Sequence, residues 1–218
     1  MRLESGRVLN LAVENTPVAG CTVSEQIYQA NGMSVFVFSL AAQTDISAES
    51  YDYHKILMVL AGKMEVFTTA GGSWMLGVGD SVVTPTKVPM GMKSIEGCVY
   101  IEIGLRKDST MNKTISSGNV FQLKDILPYQ EGRIVNMDIS SNDKMKFVLM
   151  SFDAGTGLSE HAAPGEALVF ALDGEAVIGY EGEQHTIHAG ETFKFDKMGR
   201  HSVTATKQFK MALLLVLE

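Results

Sequence analysis

The chain has 218 residues, which is enough for one large or two small domains with a real hydrophobic core. Its formal net charge is −7, with acidic and basic residues mixed, so it lacks the basic footprint that a nucleic acid or an anionic membrane requires of its partner. Its two cysteines, Cys21 and Cys98, fit neither a zinc motif nor a disulfide framework, which favours reduced thiols in a cytoplasmic protein.

The first half of the chain predicts short β-strands rather than helices. The charged start, residues 1–6, has no apolar stretch of the signal-peptide kind, and residues 8–11 form an opening segment. A short strand is predicted near Val23, and residues 34–40 form a strongly β-prone run. Residues 106–117 are rich in Lys, Asp, Ser, Thr and Asn and predict a linker.

The second half predicts the same kinds of element in the same order. Residues 120–123 open it, and a single helical turn beginning at Gln122 is limited by Pro128. Strands follow near Val135 and over residues 146–152. The final apolar run, residues 211–217, is too short to span a bilayer and predicts a buried closing strand.

An internal repeat relates the two halves. Gly6 and Gly62 align with Gly118 and Gly174, in both cases 112 residues further on. The apolar run 56–60 aligns with 168–172, and neither run alternates, so both faces of these strands are expected to be covered. The repeat and the close turn punctuation predict an all-β chain with two tandem domains, residues 1–108 and residues 109–218.

A histidine, a short strand closed by glycine, a second glycine turn and a second histidine follow one another in the second half. This order resembles the two motifs of the cupin superfamily, which are matched by Gly157, His161, Gly174, Gly190, Glu191, Gly199 and His201. The resemblance implies two tandem RmlC-like cupin (jelly-roll) barrels. The chain departs from the family at two ligand positions: Ala163 stands where a second histidine is usual, and Ala167 where a Glu or Gln is usual.

The resemblance implies a metal in such barrels, held by three histidines and one carboxylate or amide. His161 and His201 keep two of these positions, and a bulge at residues 164–165 would bring Glu166 in as a third ligand. Zn, Ni, Mn or Fe would suit such a set. The alternative is a metal-free polar cavity in which Ala163 and Ala167 share the inward face with His161.

The first barrel has lost the equivalent ligands. The repeat places Glu49, Tyr51, Lys55 and Met90 at the four ligand positions, so we expect no metal there, and we predict Glu49, Tyr51 and Lys55 as ligand-pocket residues. If residues 49–55 form one strand, Glu49, Tyr51 and Lys55 share a face, and an ion pair between Lys55 and Glu49 would replace the metal. The alternative is that Lys55 extends to solvent at the barrel mouth.

Three functions fit these patterns. The first is a small-molecule pocket in the C-terminal barrel with a weak divalent metal on His161 and His201, in a metal-assisted isomerase, lyase or oxygenase acting on a small acid or sugar derivative. The second is a non-catalytic, metal-free cupin that binds or senses a small ligand. The third is a dimeric scaffold. Whether the protein is an enzyme stays open; the expected partners are a small molecule and a second copy in a homodimer.

Overall fold

The structure, a computed structural model, describes residues 1–217 and confirms the all-β class. No described helix is long and apolar enough to cross a membrane. In chain order the elements are β1 (Val8–Leu9), α1 (Leu11–Glu14), β2 (Thr22–Ala30), β3 (Met33–Leu40), β4 (Thr44–Glu49), β5 (Lys55–Gly62), β6 (Met64–Thr68), β7 (Ser73–Leu76), β8 (Asp80–Val83), β9 (Met90–Ser94), β10 (Cys98–Gly104), β11 (Thr110–Met111), β12 (Val120–Gln122), α2 (Leu123–Ile126), β13 (Ile134–Asn142), β14 (Met145–Phe152), β15 (Gly157–Ala162), β16 (Gly165–Tyr180), β17 (Glu183–His188), β18 (Thr192–Phe195) and β19 (Arg200–Leu217).

The chain divides into two compact units that exchange short segments. The first unit contains residues 1–2, 11–109 and 113–122, and the second contains residues 3–10, 110–112 and the described residues from 123 onward. The first unit runs unbroken from residue 11 to residue 109, next to the predicted division between residues 108 and 109, but the chain passes finally into the second unit only at residue 123. Residues 106–117 are not a plain linker, because they include β11, which pairs with β13.

The first unit is built from two antiparallel sheets. One has six strands in the order β12-β8-β5-β10-β3-β2, and the other has four in the order β4-β9-β6-β7. Burial along β3 alternates between buried and half-buried residues, as expected for a strand with one face toward a core. Both sheets contribute to one hydrophobic cluster, which includes Leu57, Val66, Met92 and Tyr100.

The second unit is a nine-stranded antiparallel sheet whose path runs β1-β18-β16-β19-β14-β13-β11, with β15 on β19 and β17 on β16. Its two longest strands, β16 and β19, pair along most of their length, with register shifts near Ala171 and Gly174. Such bulges bend a strand and raise its twist, which lets one strand serve two faces of a barrel. The core is aromatic and includes Phe152, Phe193 and Phe209.

The repeat seen in the sequence is a repeat of structure. Each half opens with a short strand followed by a single helical turn, β1 with α1 and β12 with α2. The next strands correspond as well, β2 and β3 with β13 and β14. The runs at 56–60 and 168–172 lie in β5 and β16, and Leu57 and Leu168 are fully buried. The sequence did not predict α1, which begins two residues after the end of β1.

Candidate functional site

A cavity of about 310 Å³ lies in the first unit. Its volume is at the lower end of the range of small-molecule sites. Ten of its seventeen lining residues are aromatic, aliphatic or methionine, and the other seven are polar or charged. Its lining residues are Gln29, Ser34, Phe36, Phe38, Ile46, Ser47, Glu49, Tyr51, Tyr53, Lys55, Leu57, Thr84, Pro85, Val88, Met90, Met92 and Glu102.

An ion pair between Lys55 and Glu102 is the main charged feature of this cavity. Lys55 Nζ lies 2.9 Å from Glu102 Oε1, and the two side chains are only 12% and 7% exposed. Lys55 Nζ also lies 3.7 Å from the centre of the Tyr51 ring, which is the geometry of a cation–π contact. The ammonium therefore has a carboxylate and an aromatic face as neighbours, and both charged side chains are largely shielded from solvent.

The sheet register explains why Lys55 meets Glu102. Lys55 is the Cα partner of Gly104 across β5 and β10, and Leu57 is the partner of Glu102. Lys55 and Glu102 are therefore diagonal neighbours on one sheet face, within reach of long side chains. Gly104 has no side chain to stand between them.

The predicted ion pair between Lys55 and Glu49 was wrong, because Lys55 pairs with Glu102. Residues 49–55 do not form one strand, because β4 ends at Glu49 and β5 begins at Lys55 in the other sheet. Glu49 instead accepts a hydrogen bond from the Tyr51 hydroxyl. Burial raises the pKa of Tyr51, and the Glu49 carboxylate raises it further. Glu49, Tyr51 and Lys55 nevertheless all line the same cavity.

Glu102 is an unusual acid because it is buried and only one of its two carboxylate oxygens has a partner. Burial raises the pKa of its carboxyl group, and the nearby Lys55 ammonium opposes that rise. One carboxylate oxygen takes the ion pair, whereas Oε2 has no hydrogen-bond partner among the described residues. A buried polar atom without a partner is costly, and a donor group at this oxygen would remove that cost.

In the second unit, the structure brings His161 and His201 together. The two residues are Cα partners across β15 and β19, and their ring centroids lie 4.4 Å apart. His161 is exposed, whereas His201 is 6% exposed and stacks on Phe195 at 4.1 Å. The pair therefore spans the boundary between the core and solvent.

Backbone carbonyls orient both imidazoles in the same way. Nδ1 of His161 lies 2.8 Å from the Ser159 carbonyl oxygen, and Nδ1 of His201 lies 2.9 Å from that of Gly199. Because a carbonyl accepts only, each Nδ1 carries the proton and each Nε2 presents a lone pair, which is the tautomer that metals bind. Burial lowers the pKa of His201, and the neighbouring His161 lowers it further.

The structure does not bring the other predicted ligands to this histidine pair. Glu166 forms an ion pair with Lys194, whose Nζ lies 3.0 Å from Oε1. Ala163 lies between β15 and β16 and accepts a hydrogen bond from the Met198 amide, and Ala167 is part of the hydrophobic core. Over residues 1–217, no group of three or more His, Cys, Asp and Glu side chains is placed to hold a metal. Two imidazoles alone do not make the three- or four-ligand set of a firmly held ion.

The two sites are equivalent positions of the repeat. His161 pairs with His201 after a register shift, and Glu49 pairs with Met90 after a shift at the same place in β4 and β9. In the same way, β5 and β10 match Leu57 with Glu102, while β16 and β19 match Val169 with Leu213. The position of Lys55 corresponds to Ala167. The first unit thus has a charged pair where the second has apolar residues.

Sequence reasoning missed Glu102, although a signal was present. Glu102 is the single charged residue of β10, which is otherwise apolar apart from a tyrosine hydroxyl and is buried at every position. A lone acid in such a strand must have a partner or a function, because charged side chains are almost never fully buried unpaired. The sequence does not show which distant residue that partner is.

Comparisons with known proteins agree with this fold. The cupin domain family matches residues 148–217. The Cupin 2 conserved barrel domain protein from Leptotrichia buccalis is 27% identical, and the match covers 99% of this chain and 98% of that chain with a TM-score of 0.87. No curated protein matches the chain.

More distant structures share the fold alone. The putative glyoxylate induced protein from Pseudomonas aeruginosa is 14% identical over 100% of this chain and 90% of that chain, with a TM-score of 0.63. A salicylate 1,2-dioxygenase from Pseudaminobacter salicylatoxidans is 13% identical over 85% of this chain and 71% of that chain, with a TM-score of 0.61. Together, the family match over β14 to β19 and the full-length likeness to a conserved-barrel protein confirm the resemblance. Residues 148–217 thus form a cupin domain, and the chain as a whole has the fold of a cupin conserved-barrel protein.

Proposed function

We propose that the protein binds a small organic molecule in the cavity of its first unit, without a metal in that unit. The observation that carries the proposal is the cavity of about 310 Å³ with the buried Lys55–Glu102 pair on its wall. A cavity with a mainly apolar wall and a few convergent polar groups is the usual form of a small-molecule site. The proposal moves the expected pocket from the second unit to the first and favours the non-catalytic binding function.

A blocked-cavity variant tests the binding site. Val88 lines the cavity, and Val88→Trp would fill part of it. We expect some members of a panel of small aromatic and alicyclic fragments to raise the melting temperature of the wild-type protein, because a ligand that binds only the folded state stabilises it. Val88→Trp should abolish that rise.

The matched control is Val78→Trp. Val78 is in the same unit but is 62% exposed and does not line the cavity, so the substitution adds the same ring elsewhere. Val78→Trp should respond to the fragments as the wild type does. Equal responses from Val88→Trp and the wild type, or no response from any protein, would contradict a ligand site in this cavity.

A second candidate function, favoured by the two Nε2 atoms of His161 and His201, is weak binding of a divalent metal in the second unit. Both imidazoles are held as Nδ1–H tautomers, so both Nε2 lone pairs are available. Water or a ligand would have to supply the remaining positions, since Glu166 is engaged with Lys194. Zn, Ni, Mn and Fe stay the candidates, and no reaction step is assigned to such an ion. The homodimer and the cytoplasmic location also stay predictions.

Calorimetric titration with Zn²⁺ and Ni²⁺ tests the metal candidate. We expect one weak site per chain in the wild type, and we expect His161→Ala to weaken it by at least about tenfold because half of the nitrogen donors are lost. The control is His188→Ala, which removes an exposed histidine that lies beside Glu175 and Glu191. If His188→Ala removes the binding and His161→Ala does not, the ion binds at the surface and not at the histidine pair.

A further inference from the structure

We infer that the ligand of the first-unit cavity presents a hydroxyl group to Lys55 and Glu102, so that it is a small alcohol, phenol or polyol with an apolar body. This inference rests on the proposed function and names the ligand class for the same cavity. The ligand class follows from which donor and acceptor atoms of Lys55 and Glu102 already have hydrogen-bond partners.

The Lys55–Glu102 pair offers one acceptor and one donor side by side. Glu102 Oε2 is buried and accepts no hydrogen bond among residues 1–217. An ammonium group has three N–H donors. Lys55 donates one hydrogen bond to Glu102, and its ammonium group lies over the Tyr51 ring without using a particular N–H. At least one N–H therefore stays available beside the free carboxylate oxygen.

Only some ligand groups match both atoms. A hydroxyl donates one hydrogen bond and accepts others, so it can give its proton to Glu102 Oε2 and accept from Lys55 Nζ at once. An ammonium ligand can only donate hydrogen bonds, so it cannot accept from Lys55 and its charge repels the Lys55 ammonium. A carboxylate ligand can only accept, so it leaves Glu102 Oε2 without a donor. An apolar ligand satisfies neither atom.

The charges around the cavity disfavour an anionic ligand. The charged lining residues are Glu49, Lys55 and Glu102, so carboxylates outnumber ammonium groups there. The single ammonium is already neutralised by Glu102 at 2.9 Å. An anionic ligand would enter a weakly hydrated site with an excess of negative charge, which disfavours a small acid. A neutral hydroxyl adds no charge.

The apolar residues of the cavity wall determine what kind of ligand body fits beside the hydroxyl group. Phe36, Phe38 and Leu57 face the cavity from the six-stranded sheet, and Met90 and Met92 face it from the four-stranded sheet. Methionine side chains are flexible and polarizable and fit against aromatic rings. An aromatic or alicyclic body therefore suits the wall, with its hydroxyl directed at the ion pair.

Four probes with one body and different polar groups test the inference: benzyl alcohol, benzylamine, benzoate and toluene. Binding is followed through the methyl signals of Met90 and Met92, with the methyl signal of the exposed Met75 as an internal reference. We expect benzyl alcohol to bind on the order of tenfold more tightly than toluene, because hydrogen bonds to charged groups are the strong ones. Benzylamine and benzoate should bind more weakly than the alcohol.

The double variant Lys55→Ala with Glu102→Leu provides the second comparison. It places at these positions the residues that the second unit has at Ala167 and Leu213, and it leaves the apolar wall in place. In this variant benzyl alcohol should lose its advantage over toluene. Tighter binding of benzoate or benzylamine than of benzyl alcohol, or an unchanged preference in the double variant, would overturn the hydroxyl inference and leave the cavity as the site. If none of the probes shifts the Met90 and Met92 signals in the wild type, the proposed function itself fails.

Discussion

Replacing Lys55 with alanine should destabilise the protein by about 3 to 5 kcal/mol, the range for removing one partner of a buried ion pair. The loss comes mainly from Glu102, which would stay as a buried carboxylate with neither of its oxygens paired. A surface ion pair would give a far smaller effect, but these side chains are only 12% and 7% exposed. Chemical denaturation of the wild type and Lys55→Ala measures the difference.

The double variant Lys55→Ala with Glu102→Leu separates this cause from simple loss of packing. Removing both charges leaves no unpaired group, and replacing a buried pair by apolar residues is often neutral or stabilising. We therefore expect the double variant to recover most of the stability that Lys55→Ala loses. If the double variant is as unstable as the single one, the unpaired carboxylate is not the cause.

The stability of Lys55→Ala should depend on pH in a direction that the Glu102 carboxyl group determines. Burial holds the pKa of Glu102 above its ordinary value, and Lys55 lowers it, so removing Lys55 raises it further. A carboxyl group with a raised pKa in the folded state contributes stability below its ordinary pKa, and that contribution is lost as the pH rises through the raised value. The deficit of Lys55→Ala relative to the wild type should therefore shrink as the pH is lowered from about 7 toward about 5. A deficit that grows on acidification would contradict this assignment.

Local patterns and the repeat were enough to predict most of the strands, and the resemblance to cupins implied the pairing of the two histidines. The run at 34–40 became β3, residues 211–217 became the end of β19, and His161 and His201 face each other as the motif implies. The strands depend on alternation, turn residues and a constant offset, all of which are visible in one sequence, whereas the histidine pairing came from the resemblance.

The long-range partners could not be predicted in the same way. The pairing of Lys55 with Glu102 depends on which strands are neighbours and on their register, and nothing near Lys55 in the sequence specifies β10. The break between β4 and β5 was also missed, because residues 50–54 carry no glycine or proline to mark it. The same holds for the opening segments: the repeat aligns β1 with β12, but only the structure shows that β1 pairs with β18 and β12 with β8.

The repeat also makes a strong prediction about two equivalent glycines, Gly62 at the end of β5 and Gly174 at a register shift within β16. Gly62 and Gly174 are equivalent, with φ of +71° and +74°. A Cβ atom on Gly62 would lie 2.0 Å from the Gly97 carbonyl oxygen, and one on Gly174 would lie 1.7 Å from the Gln208 carbonyl oxygen. Both obstacles are backbone atoms, one just before β10 and the other within β19, so they cannot move aside as a flexible side chain would.

Gly62→Ala and Gly174→Ala should therefore each destabilise the protein by at least about 3 kcal/mol, since strain from the left-handed backbone adds to overpacking. The matched controls are Gly20→Ala and Gly132→Ala, another equivalent pair of the repeat. These glycines have φ of +74° and +63°, and nothing lies within 4 Å of their added Cβ atoms.

The controls should lose only about 1 kcal/mol, because they carry the backbone strain without the collision. Thermal and chemical denaturation of the four variants measures both contributions in both units. Equal losses in all four would mean that conformation alone requires glycine at these positions. A large loss confined to Gly62→Ala and Gly174→Ala would instead show that each unit needs the close approach of two backbones at this equivalent position of the repeat.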